Sequence, residues 1–286
     1  MATPAGRTLS QRREVPLPQA REEMAAAVVA DRLYVIGGFN ASGADVNSVF
    51  VLHNGAWSDG PPLPLALDHL SAAVASGRLY VAGGSSTAGA SRRAFVLAAP
   101  GEAWREITPM HHARIALALV ALGDRLFAIG GRDGAREVGP IEMFDTAAGS
   151  WVDLSQLPHP RDHVAGFALQ GMACAAGGRT PDTAAVDCYD PASKSWRTLP
   201  GLPLATSGAG AASLGDVVVV AGGEAASERG AVTDQLAEWG GSRWLTERML
   251  VPRHGVEFAV LGGRAWACGG GIAPGLHPTT VCTSFG

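Results

Sequence analysis

Six glycine doublets punctuate this chain, at Gly37-Gly38, Gly83-Gly84, Gly130-Gly131, Gly177-Gly178, Gly222-Gly223 and Gly269-Gly270. Their first glycines follow one another at intervals of 46, 47, 47, 45 and 47 residues. A period of that length, kept across most of a 286-residue chain, means one supersecondary unit repeated. Such a unit cannot bury its apolar faces alone. Its neighbours must stack against it, and radial stacking brings equivalent loops onto one face.

Each unit carries its signals in the same order. A short apolar run precedes the doublet, as at residues 33–36, 79–82, 126–129 and 217–220. Runs of this length, rich in β-branched and aromatic residues and stopped by glycine, are buried strands rather than helices. A polar turn such as Asp31-Arg32 or Gly123-Asp124 separates each run from an earlier apolar strand, which makes a hairpin. Beyond the doublet come a loop and a third strand, clearest at residues 141–145 and 186–190. Trp57, Trp104, Trp151, Trp196 and Trp244 then open a fourth, 18–21 residues past the doublet. Four antiparallel strands per repeat read as a propeller blade, with the glycines allowing close backbone approach and the tryptophans wedged between blades. Only five such tryptophans follow six doublets, so the last unit lacks an outer strand. Gln11 precedes Gly37 by 26 residues, as Trp104 precedes Gly130. Residues 7–15 are therefore expected to complete the last blade and leave the ring without an open edge.

The doubled glycine, the aromatic-Asp pairs Phe144-Asp145 and Tyr189-Asp190, and the spaced tryptophan resemble the kelch-repeat family over nearly the whole chain. The stretches Arg161-Asp162-His163, Arg253-His254-Gly255 and Gly269-Gly270-Gly271 with Pro274-Gly275 are similar to bacterial six-bladed kelch proteins often called galactose-oxidase-like. The resemblance implies an all-β fold: a six-bladed kelch β-propeller occupying residues 1–286 as a single domain, four antiparallel strands per blade, the last closed by the N-terminal strand. It also implies a partner-binding face, built from the loop leading into each innermost strand and the loop after each doublet.

Composition removes several function classes. Charged residues make up 17% of the chain and the net charge is −4, so no clustered basic excess marks a nucleic-acid binder. No run of 18 apolar residues offers a transmembrane helix, and no membrane partner is expected. The first ten residues lack the apolar core of a signal peptide, which makes a cytoplasmic location the expectation, and the protein is expected to be monomeric. Cys174 and Cys188, like Cys268 and Cys282, lie 14 apart within one repeat. That spacing allows a bridge between neighbouring strands, but a cytoplasmic setting favours four free, buried thiols. No CxxC spacing suggests thiolate zinc.

Counting 16 residues back from each doublet locates the loop into each innermost strand, at Arg21, Leu67, Arg114, Arg161, Thr206 and Arg253. The next residues are Glu22, Asp68, Ile115, Asp162, Ser207 and His254, and after them come Glu23, His69, Ala116, His163, Gly208 and Gly255. Just past the doublets stand Asn40, Ser85, Arg132, Asp133, Arg179 and Glu224. A mouth lined this way is the default binding site. The expected ligand contacts are Arg21, Glu22, Asp68, His69, Arg132, Asp162, His163, Arg179 and His254. His69, His163 and His254 sit on alternate blades, a near-threefold arrangement suited to Zn²⁺ or Fe²⁺, although His254 is offset by one residue.

The expected function is a recognition module that binds a polar small molecule or a protein segment at the channel mouth. Mixed charge favours a zwitterionic or peptide-like partner over a polyanion. The alternative is an enzyme at the same mouth, either dependent on a metal held by the three histidines or a cofactor-free sugar isomerase of the mutarotase type. For the latter, Glu22, Asp162, His163 and Arg253 are the acid–base candidates, with Glu257 further into its strand. Copper-oxidase chemistry is disfavoured because Tyr34, Tyr80 and Tyr189 all fall on blade strands. The Glu-xxx-Asp-xxx-His iron motif of nitrile-specifier kelch proteins is missing. Schiff-base chemistry is disfavoured because the only lysine, Lys194, lies in a polar turn.

Overall fold

The computed structural model describes residues 9–179, 181–225 and 231–286. Their regular structure is entirely β, in six four-stranded antiparallel blades. Blade 1 comprises Ala25–Val29, Arg32–Ile36, Val49–His53 and Ala56–Asp59. Blades 2 to 5 repeat this order from innermost strands Asp68–Ala75, Ala118–Leu122, Ala165–Leu169 and Gly210–Leu214. Blade 6 has Phe258–Leu261, Arg264–Cys268 and Cys282–Phe285, and its fourth strand is Gln11–Glu14. Gln11 lies opposite Phe285 and Glu14 opposite Cys282, so the two ends of the chain are hydrogen-bonded into one sheet. Residues 7 and 8 of the expected closing segment lie outside the described residues.

The apolar runs before the doublets are unbroken because both faces of those strands are covered. In Val217–Ala221, Val218 and Val220 pack towards blade 4, while Val219 and Ala221 pack towards blade 6. The core is accordingly divided into layers between blades. Each tryptophan adds a polar tie to the preceding blade: the indole N–H donates from Trp104 to Pro61 O, from Trp151 to Thr108 O and from Trp244 to Pro200 O, each at 2.8 Å. Blade 6 has no tryptophan there. Gln11 takes its place, donating from Nε2 to Arg248 O at 2.6 Å and accepting from Leu250 N at 2.7 Å.

The doublets lock blade to blade. Gly38 N donates to Leu67 O, Gly84 N to Arg114 O, Gly131 N to Arg161 O, Gly178 N to Thr206 O, Gly223 N to Arg253 O and Gly270 N to Arg21 O, completing the circle. A side chain is excluded there: Gly37 and Gly38 have φ of 64° and 85°, and a Cβ on Gly38 would stand 2.5 Å from Glu22 O.

The cysteines correct the expectation of free thiols. Cys174 lies directly opposite Cys188, and Cys268 opposite Cys282, on the second and third strands of blades 4 and 6, and both pairs are disulfide-bonded. Register is the reason. A spacing of 14 places the two residues directly across an antiparallel pair with Cα atoms 4.0 and 4.1 Å apart, close enough for a bridge.

Three stability outcomes follow from the ring closure and the disulfides. Leu9, just ahead of the closing strand, is buried with the core of blades 5 and 6, so Leu9→Ala is expected to cost about 2–5 kcal/mol in urea denaturation. Deleting residues 1–15 should cost more, whereas a loss below that of Leu9→Ala would contradict ring closure. Cys174→Ser/Cys188→Ser should lower stability by about 3 kcal/mol, as for a closed loop of this size. Thiol titration of the unreduced, denatured wild type should find no free thiol, and four reactive thiols would show the cysteines to be reduced.

Candidate functional site at the channel mouth

The innermost strands surround a channel, and the third residue of each inner loop forms a ring around it. Glu23, His69, Ala116, His163, Gly208 and Gly255 all adopt left-handed backbone, with φ between 49° and 66°. Their peptides form a closed circle. His69 N donates to Glu23 O, Ala116 N to His69 O, His163 N to Ala116 O, Gly208 N to His163 O, Gly255 N to Gly208 O and Glu23 N to Gly255 O, all at 2.8–3.0 Å. These six residues line a cavity of about 70 Å³ on the axis. Glu23, His69 and His163 contribute the polar side chains, while alanine and two glycines leave the other positions open.

One residue earlier, Glu22, Asp68, Ile115, Asp162, Ser207 and His254 each pair with the backbone two residues past a doublet's first glycine: Phe39, Ser85, Arg132, Arg179, Glu224 and Gly271 respectively. This pairing clamps the two loops of each blade together and carries the post-doublet side chains to the mouth. Arg132 Nε approaches Asp162 Oδ2 at 3.0 Å, and Arg179 Nε donates to Asp162 Oδ1 at 3.2 Å. Asp162 Oδ1 also lies 2.6 Å from His163 Nδ1, while Arg179 donates to His163 Nε2 at 2.7 Å. On blade 2, His69 Nδ1 bonds Asp68 and His69 Nε2 lies 3.5 Å from Glu23 Oε2. His254 Nε2 lies 3.3 Å from Glu22 Oε1 and 3.8 Å from Glu224 Oε1.

Charge and burial set the protonation of this cluster. Burial pushes Glu22 up to about 7 against the pull of His254, so it can take up or release a proton near neutrality. Burial also acts on Glu23, but His69, His163, His254 and Arg179 together hold it below the usual carboxylate range. Asp162 is likewise held low, its burial outweighed by His163, Arg179 and Arg132. His69 is raised because Glu23 and Asp68 outweigh its burial, whereas burial keeps His163 low. Asp45, from the loop after the first doublet, is pushed up to about 6 by burial and a hydrogen bond to Asp68.

Three expectations need correction. Arg21 and Arg253 are not available to a ligand, because both are buried and engaged within their blades. Arg21 donates to Ala20 O, Gln19 and Ser48, and its guanidinium lies over the Phe50 ring. Arg253 donates to Ala267 O, Gly269 O and Val281 O. The three imidazoles do not converge on one point. His254 belongs to the next ring out, donating from Nε2 to Ala273 O at 3.0 Å, and Glu23 takes the place expected for it beside His69 and His163. Asp45 and His277, whose N–H donates to Glu22 Oε2 at 2.9 Å, escaped the sequence reading. They come from post-doublet loops of unequal length, which no repeat register reaches.

Deeper in the channel, Glu257 of blade 6 reaches both the adjoining blade 1 and, beyond it, blade 2. It accepts from Ala26 N at 2.7 Å on blade 1, and from Ser71 Oγ at 2.5 Å and Ala72 N at 3.2 Å on blade 2. Burial pushes it up to about 7 despite these donors. Between the ordinary carboxylate value and about 7, the folded protein keeps a proton that the unfolded chain has released, so stability declines as pH rises through that window. Glu257→Gln is expected to show a shallower decline and to be more stable than wild type at a pH about one unit higher. Denaturant midpoints across pH check this, and equal slopes in the two proteins would contradict it.

The kelch motif matches residues 20–64 and 113–158, which are blades 1 and 3 with their inner loops. No curated protein matches the sequence. Among solved structures the fold is similar to that of YjhT, with 14% identity, a TM-score of 0.79, and coverage of 94% of this chain and 95% of that one. Identity at that level speaks for the fold alone. The chain is thus a six-bladed β-propeller of four-stranded blades, two of which match the kelch motif.

Proposed function

We propose that the protein is a recognition module that takes a zwitterionic small ligand, or a polar protein segment carrying both charges, at the channel mouth. The division of charge around the mouth supports this reading. Arg132 and Arg179, with 36% and 37% of their side chains exposed, stand on blades 3 and 4. Glu22, Glu23 and Glu224 gather around His254 on blades 1, 5 and 6, across the ring. A carboxylate directed at the two guanidinium groups meets charge-assisted donors, and a cationic or hydroxyl group on the same ligand meets the acids. The four inner-loop arginines take no part, since each is engaged within its own blade. Two cross-strand disulfides suit an oxidising compartment, so the cytoplasmic expectation is not carried into this reading.

Thermal-shift measurements with amino acids, dipeptides and sugar acids, followed by titration of the strongest hit, test this. Arg132→Ala/Arg179→Ala should weaken that hit about tenfold or more, the loss of at least one charge-assisted bond. A pull-down with the same pair of proteins tests a protein partner. If neither ligand nor partner distinguishes wild type from the double variant, the mouth is not the recognition surface.

A further inference from the structure

The axial ring holds two histidines whose tautomers are fixed from outside. Each imidazole turns Nδ1 to the aspartate one residue earlier, His163 to Asp162 and His69 to Asp68. An ionised carboxylate only accepts, so Nδ1 carries the proton and Nε2 of the neutral ring presents its lone pair. Arg179 confirms this at His163, because a guanidinium only donates and it bonds Nε2. The two rings meet edge to face with centroids 5.0 Å apart, and Glu23 Oε2 lies 3.5 Å from His69 Nε2. One donor atom from each of Glu23, His69 and His163 falls within 4.8 Å of the others.

We propose that Glu23, His69 and His163 bind a divalent first-row transition ion, with Zn²⁺ as the probe, and that Asp68 and Asp162 hold the imidazoles in the ligating tautomer. Two imidazoles and one carboxylate are a donor set that such ions accept, with positions left over for water or a ligand oxygen. Histidine ligands whose second nitrogen is tied to a carboxylate are the usual outer-shell arrangement of metal sites, and both histidines have it. Ala116, Gly208 and Gly255 occupy the remaining ring positions and put no competing side chain on the axis. Arg179 sits on the His163 lone pair. Its side chain is partly exposed, and binding requires it to swing off. The other His/carboxylate clusters are less suited. His254 Nε2 donates to Ala273 O, and Glu142, beside His111 and Asp153, is held by Arg114.

The site lies in the same mouth but does not depend on the ligand reading above. Full-length protein stripped with EDTA and titrated with Zn²⁺ by calorimetry is expected to bind a single equivalent. His69→Ala and His163→Ala should each abolish binding. Both should fold, because Ala116 already holds alanine at the equivalent left-handed position, and thermal melting verifies that. Asp68→Asn and Asp162→Asn should weaken binding about 10–100-fold. Arg179→Ala should tighten Zn²⁺ binding by removing a competitor and a like charge, although the same change weakens an anionic ligand, so the two proposals fail separately. Absence of Zn²⁺ binding by wild type, or binding undiminished in both folded histidine variants, overturns the site.

Discussion

The closed circle of six peptide hydrogen bonds at the channel mouth is the constraint on which the rest of this structure depends. Each blade donates one N–H to the blade before it, and the sixth bond returns to the first blade. Such a circle forms only if every inner loop turns through the same left-handed residue. Glu23, His69, Ala116 and His163 adopt that conformation without being glycine, at a cost that the bonds on both sides sustain. The same turn places their side chains on the axis. The position that closes the propeller is therefore also the position that furnishes its mouth: the backbone circle sets where those side chains start, and neighbouring side chains orient them.

A second circle, from the doublets to the carbonyls at the head of each inner loop, lies outside the first and explains the buried arginines. Arg114 and Arg161 pair with Glu142 and Asp187 and also donate to backbone carbonyls, whereas Arg21 and Arg253 donate to carbonyls and neutral side chains. A buried guanidinium is tolerable only when its donors are met this fully. Arg132 and Arg179 differ in kind. They emerge past the doublets, keep about a third of their surface in water and share a single aspartate. Position relative to the doublet, not residue type, separates the arginines that build blades from those that emerge at the mouth.

Legibility from sequence followed the repeat. Counting from the doublets located both rings of the mouth, including every axial residue, because equivalent positions recur at a nearly constant interval. It failed where the period carries no information. Asp45 and His277 arrive from post-doublet loops of different lengths, and the burial of Arg21 and Arg253 depends on partners far along the chain, such as Ser48 and Val281. The one-residue offset of His254 was visible, but its consequence was not. It moves the imidazole to the outer ring and leaves Glu23 as the neighbour of His69 and His163.

By itself the sequence determined the number of blades, their register, the order of their strands and the turn at which polar residues meet the axis. Those properties follow from spacing, and spacing is fully present in the chain. Only the tertiary structure decided which polar residues are consumed by the fold and which remain to act. That choice depends on what each side chain meets across a blade boundary: Gln11 tying blade 6 to blade 5 where tryptophan serves the others, the cysteines meeting across a strand pair, and Glu257 reaching blades 1 and 2 inside the channel.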